Sequence, residues 1–302
     1  MKNNRDPFVV VSVPVFNRKQ KTLRFLSEFK KVEYKNYKIV IVDSGSTDGT
    51  VEEIKKSFSD SILIEGNKNL WWSAATNLGV KFGLENKADY ILTINDDSLF
   101  QYDFLKHLVE VGEKYKRKAI IGSLLYQGKA KVKIWSIGGY MHWDEKIFGL
   151  NYEGQNAQLL KYIQNPLEVQ INCGNGTLVP SHIFKEIGLY NELWCPQVHG
   201  DSEFILRARK SGYTTYVNHN SVIFNDIKLI PDVKNEFELF FSKKSDQYWK
   251  PIFYICLHYA PGKYKIKALI NRYIPFLSGF IRLFGRKIKN IIKKILVVLR
   301  LR

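Results

Sequence analysis

The first hundred residues repeat one pattern, and that pattern most constrains how the chain can fold. Four short aliphatic runs occur: Phe8–Val13 (FVVVSV), Lys38–Val42 (KIVIV), Ser61–Glu65 (SILIE) and Tyr90–Ile94 (YILTI). None alternates polar with apolar as a half-exposed strand would, so each reads as a strand buried on both faces of a parallel sheet. Pro14 is expected to close the first run. Between the runs lie helix-period stretches. Leu23, Leu26 and Phe29 share one face, Thr50-Val-Glu-Glu53 reads as a capping box opening a second helix, and Ser73–Asn86 forms a third. Strand–helix alternation of this kind predicts an α/β half-domain with a mostly parallel, Rossmann-like sheet flanked by helices.

In such sheets ligands bind beyond the carboxyl ends of the strands, which directs attention to Asn17, Asp43, Asn67 and Asn95-Asp96-Asp97. No G-x-G-x-x-G follows the first strand and no G-x-x-x-x-G-K-[ST] occurs, which argues against dinucleotide-binding and P-loop readings. Beyond residue 120 the pattern is less regular. Ile134–Phe148 and Gln170–Val179 are expected to form strands and loops over the site, Ser202–Lys210 a helix, and Tyr216–Phe224 a strand. At 302 residues the expected division is one large domain over 1–250, with halves meeting near 120, and a tail over 251–302.

Three clusters carry chemistry. Asp96 and Asp97 stand side by side after a hydrophobic strand, where two carboxylates repel unless a cation or donors offset them. Magnesium or manganese binds through one or two carboxylates plus substrate phosphates, although Asp is also common before helices. Asp43, beside Gly45 and Gly49, could accept from a base or ribose, or serve the turn itself. In His199-Gly-Asp201-Ser-Glu203, spacing alone favours charge stabilisation of a helix N-terminus over a general base with a supporting carboxylate.

In order, these pieces resemble the inverting family-two glycosyltransferases with a GT-A fold. The matching segments are VSVPVFNR (Val11–Arg18), IVIVDSGSTDGT (Ile39–Thr50), NKNLWWSAATNLGVKFGL (Asn67–Leu84), ADYILTINDDS (Ala88–Ser98), NCGNGTLVPSHIFKEIGLYNE (Asn172–Glu192) and GDSEFILRARKSGY (Gly200–Tyr213). The resemblance implies that Pro14, Asn17 and Asp43 line a nucleotide-base pocket and that Trp72 and Asn77 contact the donor. Asn95, Asp96 and Asp97 would take the D-x-D position, with Asp97 the principal metal ligand and Asp96 beside it. Relatives often carry a metal-site His where this chain has Asn225; Asn225 itself, His219 six residues earlier, or neither would take its place. Asp201 would be the base that deprotonates the acceptor hydroxyl, with Glu203 supporting it near the acceptor. An Asp is ionised at neutral pH without a raised pKa, so such a base acts by position. Also implied are a nucleotide-sugar donor, a divalent cation (Mg2+ or Mn2+), a glycan or lipid-linked acceptor, and a role in cell-surface polysaccharide or glycolipid assembly. Trp71-Trp72 and the Asp-x-Glu-aromatic pairing most resemble the bacterial branch that includes rhamnosyltransferases, hence a hexosyl or deoxyhexosyl transfer. A second class, an inert sugar- or nucleotide-binding protein on the same fold, is disfavoured by the joint presence of Asp97 and Asp201.

Charge separates the tail from the body. Of the formal +17, residues 250–302 hold 13 Lys and Arg and no acid, leaving +4 for the first 249 residues. Phe280, Phe284, Ile288, Ile291, Ile295 and Leu299 form one helical stripe, with Arg282, Arg286, Lys289, Lys293 and Lys294 among the intervening cations. This pattern predicts an amphipathic helix lying on an anionic membrane surface; packing on the body or on a second subunit is the alternative. The cations interleave with aliphatics, not with stacking aromatics, which disfavours nucleic acid. No run of about 18 uncharged apolar residues suggests a spanning helix, and the polar start MKNNRDPF does not read as a signal peptide. Cys173, Cys195 and Cys256 form no C-x-x-C pair and suggest a reducing compartment. The expected location is cytoplasmic, peripheral on the inner face of the cell membrane.

Overall fold

The structure, a computed structural model, describes residues 5–68, 70–145, 147–225 and 236–274. The membrane residues Arg286, Lys289, Lys293 and Lys294, and the whole stripe from Phe280 to Leu299, lie outside the described residues. In chain order the elements are β1 (Val9–Val15), α1 (Lys19–Phe29), β2 (Tyr37–Asp43), α2 (Thr50–Ser57), β3 (Ile62–Glu65), α3 (Trp72–Glu85), β4 (Tyr90–Thr93), β5 (Leu99–Phe100) and α4 (Phe104–Lys114). There follow β6 (Ala119–Gln127), β7 (Ile134–Ser136), β8 (Gly139–His142), β9 (Ile147–Leu150), β10 (Leu167–Glu168), β11 (Thr177–Pro180), α5 (Ser181–Ile187), α6 (Gly200–Lys210) and β12 (Thr214–Asn225).

The main sheet runs β10-β12-β6-β11-β4-β1-β2-β3. β3, β2, β1 and β4 are mutually parallel, and β11 enters antiparallel between β4 and β6. β6 and β12 are again parallel to each other, so one reversed strand splits an otherwise parallel core. β5 pairs with β12, which ties the turn after β4 to the far side of the sheet.

The aliphatic runs are continuous because both faces are covered. Val9, Val11 and Val13 pack with Phe25 and Phe29 of α1 and with Phe104 and Leu108 of α4. Val10, Val40 and Val42 face the other way, against Ala75 and Val80 of α3 and Phe204 and Ala208 of α6.

Two local expectations are corrected. Pro14 does not close the first strand; it lies within β1, in register with Val42. Ser12 accepts from Ile94 on the β4 side and Val15 accepts from Ser44 on the β2 side. By alternation Pro14 therefore faces the β4 side, past Thr93 where β4 has ended, and no ladder donor is missed. The Thr50–Glu53 capping box does not form either. Thr50 is the first helical residue, preceded by Gly49 at φ 80°. Asp48 Oδ1 instead accepts the Thr50 N–H at 3.1 Å and its hydroxyl as well, supplying an acceptor from outside the helix.

A second compact unit comprises His142–Ile147 and the residues from 236 onward, including α7 (Glu236–Phe241), α8 (Trp249–Tyr259) and a helical stretch over 262–274. The sequence reading places the division at 250; in the structure α7 and α8 belong with this later unit. Within it Arg272 donates to Gln247, Tyr273 donates to the Trp249 carbonyl at 2.7 Å, and Ile252, Ile255 and Cys256 are buried.

Candidate active site

The carboxyl ends of β1, β2 and β4 bring most of the expected residues together. After β1, Asn17 takes a left-handed backbone (φ 49°), which short polar side chains tolerate. Its Oδ1 accepts the Thr47 N–H at 2.8 Å and its own N–H donates to Ser46 Oγ at 2.8 Å, clasping the β1–α1 loop to the β2–α2 loop. Asp43 ends β2 and is 2% exposed. Its Oδ2 accepts N–H bonds from Gly45 and Ser46 at 2.8 and 2.9 Å, while Oδ1 is buried with no hydrogen-bond partner.

The turn after β4 is held from two sides. Asn175 Oδ1 accepts both the Asn95 N–H (3.0 Å) and the Ser98 hydroxyl (2.8 Å), and Thr93 Oγ1 donates to the Gly174 carbonyl at 2.6 Å. These bonds stitch the 172–177 loop to the turn. Asp96 is fully buried, accepting from Thr22 Oγ1 at 2.9 Å and lying 3.2 Å from Arg18 Nη1. Burial raises its carboxyl pKa to about 6, against the Arg18 charge that lowers it. Asp97 is partly open: Arg18 Nη1 donates to it at 2.7 Å and Lys21 Nζ stands 3.7 Å away.

Trp72 joins this turn to the candidate base. Its Nε1 donates to Asn95 Oδ1 at 3.3 Å. A Cβ added at Gly174 would sit 2.8 Å from the indole, and one at Gly200 would sit 2.5 Å from Ser73 Oγ and 3.5 Å from the indole, so only glycine fits at either position. Between those glycines the ring lies against the start of α6. There Asp201 Oδ2 accepts the Gly174 N–H and Oδ1 accepts the Ser202 N–H, both at 2.7 Å. Cys173 adjoins this group, but burial pushes its thiol up to about 12, so it is no thiolate at neutral pH.

Three expected residues lie elsewhere. Asn77 is 1% exposed and spends its amide on the 190–192 loop: Nδ2 donates to the Tyr190 carbonyl and Glu192 Oε1, and Oδ1 accepts the Tyr190 N–H. Ser73 does likewise, donating its hydroxyl to the Cys195 carbonyl and its N–H to that of Pro196. Thus α3 carries the loop that leads to Asp201. Glu203 is fully buried and faces Arg207, 3.1 Å away, whose guanidinium also donates to the Leu189 carbonyl at 2.7 Å. Through Arg207 it is linked to the backbone of the loop after α5. His219 gives its backbone N–H to Asn165 Oδ1 at 3.0 Å, and burial lowers its pKa. It is Phe224, next to Asn225, that pairs with Leu99 beside the Asp97 turn; His219 lies on the order of 15 Å back along β12. The described residues contain no group of three His, Cys, Asp or Glu able to hold a metal.

Arg18, Gly174 and Asn175 were given no role from sequence. All three sit inside motif segments, but only the fold reveals that Arg18 and Asn175 reach the β4 turn and that Gly174 links the end of β4 to Asp201.

A sequence model described as Glycosyl transferase family 2 matches residues 10–188. The chain belongs to that family. Among curated relatives, an uncharacterised glycosyltransferase of Rickettsia felis is 26% identical over 236 residues, covering 71% of this chain and 36% of its own length. One from Rickettsia typhi is 26% identical over 225 residues, covering 68% and 65%. This chain thus spans about a third of the first relative and just under two thirds of the second. Two solved structures share the fold. They are the mannosyltransferase PcManGT from Pyrobaculum calidifontis in complex with GDP-Man and Mn2+, and Staphylococcus aureus TarS 1-349 in complex with UDP. The first has TM-score 0.59 and 15% identity, covering 89% of this chain and 70% of its own; the second has 0.50 and 14%, covering 72% and 60%. Both show the GT-A arrangement, a central mostly parallel sheet in a mixed α/β domain.

Proposed function

We propose that the chain is an inverting glycosyltransferase that moves a hexosyl or deoxyhexosyl group from a nucleotide-sugar donor to a hydroxyl of a glycan or lipid-linked acceptor. One observation carries this reading. Asp201 is fixed by two backbone N–H bonds on the same frame, through Trp72, that fixes Asn95 at the Asp96–Asp97 turn. A base and a diphosphate site held rigidly together are what an in-line displacement needs. Asp201, with further lone pairs on each oxygen, takes the acceptor proton as that hydroxyl attacks the anomeric carbon. Pro14, Asn17 and Asp43 line the base pocket, where the unpartnered Asp43 Oδ1 offers an acceptor for a base or ribose N–H or O–H. Asn77 and Glu203 act through the loops they hold.

The PcManGT complex, with its GDP-Man and Mn2+, supports a nucleotide-sugar donor and a divalent cation here. Asp97, partly open, and Asp96, whose buried Oδ1 accepts no hydrogen bond and has Arg18 Nη1 3.2 Å away, fit a Mg2+ or Mn2+ that completes its shell with phosphate oxygens; they do not make an all-protein cage. Such a cation, when bound, offsets negative charge on the departing diphosphate. His219 is not among the residues proposed to hold it.

Mass spectrometry of nucleoside diphosphate released from a panel of nucleotide sugars, with and without Mn2+, tests the reading. Acceptor-dependent release from at least one donor is expected, lost in Asp97→Ala. Binding without any turnover would instead favour the inert sugar- or nucleotide-binding protein.

The second unit favours a membrane partner. Ile266, Ile270 and Ile274 recur at helical spacing and are 72%, 47% and 53% exposed, with Lys263, Lys265 and Lys267 interspersed. No helix among the described residues is long and apolar enough to cross a membrane. We therefore place the protein peripherally on the inner face of the cell membrane, in cell-surface polysaccharide or glycolipid assembly, with 251–302 as its basic anchor. Deletion after about residue 270 should release it from anionic vesicles; an intact protein that ignores both anionic and neutral vesicles in co-sedimentation removes this claim.

A further inference from the structure

Asp96 and Asp97 pose a problem of their own. One carboxylate is fully buried and its neighbour is 18% exposed, and adjacent like charges removed from water destabilise the folded chain unless something offsets them. The offset comes from long side chains on and beside the first turns of α1. Arg18 Nη1 reaches both carboxylates, at 3.2 and 2.7 Å, Lys21 Nζ stands 3.7 Å from Asp97, and Arg24 Nη2 donates to the Asp97 carbonyl at 3.5 Å. Two carboxylates thus meet three cations, and the turn carries an excess positive charge before any ligand arrives.

We infer that Arg18 is a stand-in cation. It neutralises the Asp96–Asp97 turn while no divalent ion is bound, and it yields Asp97 to that ion by transferring to the donor's diphosphate. The inference rests on the proposed donor and cation.

Three features favour an exchange over a permanent ion pair. The Arg18 side chain is 43% exposed, so it can swing without disturbing the core. Its backbone precedes α1 in a non-helical conformation (φ −137°) and makes no side-chain cap, so the helix does not depend on its guanidinium. A divalent ion arriving alone would meet Arg18 and Lys21 as like charges, whereas a diphosphate offers the displaced guanidinium two parallel acceptors. Cation and nucleotide should therefore help each other to bind, and part of that coupling should run through Arg18.

Calorimetric titration of Mn2+ into the full chain, alone and with saturating UDP or GDP, tests this without any turnover. Arg18→Gln should tighten Mn2+ alone by roughly fivefold, since a competitor is gone, and should shrink the factor by which the nucleotide tightens Mn2+. Arg18→Gln also leaves the buried Asp96 uncompensated, so Asp96→Asn and Arg18→Gln/Asp96→Asn repeat the comparison in a background lacking that charge. Mn2+ that binds through Asp97 (lost in Asp97→Asn) but no tighter in either Arg18 variant overturns the inference and leaves the proposed function standing. No Mn2+ binding in any protein, with or without nucleotide, or binding untouched by Asp97→Asn, overturns the cation reading and the inference with it.

Discussion

The turn after β2 and the turn after β4 occupy equivalent places, one strand apart on either side of β1, yet they hold their carboxylates differently. At Asp43 the partners are the N–H groups of Gly45 and Ser46, fixed dipoles that cannot leave, and one oxygen is left unbonded. At Asp96 and Asp97 the partners, besides the Thr22 hydroxyl on Asp96, are Arg18 and Lys21, full charges on flexible stems. Fixed dipoles preset a site for a neutral donor of one shape, because nothing has to move when it binds. Mobile cations preset a site whose charge changes on binding. Asp201 belongs with Asp43, being held by the N–H groups of Gly174 and Ser202; Glu203 belongs with neither, since its cation Arg207 is itself tied to the Leu189 carbonyl.

If that division is sound, the largest loss comes from Asp201. Asp201→Asn should lower turnover about 10²-fold or more with a much smaller loss of donor affinity, because the proton acceptor is gone while the amide oxygen keeps only one of the Gly174 and Ser202 N–H bonds. Glu203→Gln should do the reverse, lowering the melting temperature with little change in the turnover of protein that remains folded. Donor titration, turnover and thermal melts on the same preparations decide it; a Glu203→Gln protein that melts normally but turns over slowly breaks the comparison.

A smaller effect is expected at Asp43. In Asp43→Asn the amide oxygen can still serve the Gly45 and Ser46 N–H groups, which puts an NH2 where the unpartnered oxygen was. An acceptor becomes a donor, so the nucleotide Kd should rise about tenfold with kcat almost unchanged. Titration with UDP and GDP checks this. A variant of normal stability that binds every nucleotide as tightly as wild type would mean that this oxygen faces no ligand.

The contrast between the turns also marks what sequence could and could not reveal. Runs such as FVVVSV and KIVIV make parallel strands legible because burial on both faces leaves no other pattern. Asp43, Asp97 and Asp201 were legible as strand-end or helix-start carboxylates within a familiar order of motifs. Their partners were not. Arg18 meets Asp97 across 79 positions, and Asn175 meets Asn95 across 80, distances over which no local period operates. For the same reason sequence could not show that Asn77 bonds the 190–192 loop directly, or that Glu203 pairs with Arg207, whose guanidinium holds the Leu189 carbonyl. Pro14 and the Thr50 box misled more locally. Whether a proline interrupts a strand depends on which neighbour its nitrogen faces, and whether a threonine caps depends on where the helix begins.

A last expected effect lies in stability alone and separates Asp96 from its neighbour. Burial raises its carboxyl pKa to about 6, from an ordinary value of 3.8. A group whose pKa is raised on folding favours the folded state most below its unfolded pKa, and that contribution is lost as pH rises through the folded value. In metal-free protein, stability from this group should therefore fall between about pH 4 and pH 6, by on the order of 2–3 kcal/mol before other groups are counted. Arg18 limits the fall by favouring the charged form. Asp96→Asn removes the titrating group, so its melting temperature should vary less over that interval, by several degrees for a unit of this size. Thermal melts in chelator at half-unit steps of pH measure the difference. Parallel curves for wild type and Asp96→Asn would show that Arg18 fully compensates the buried charge, and the two turns would then differ in the identity of their partners but not in the strain those partners relieve.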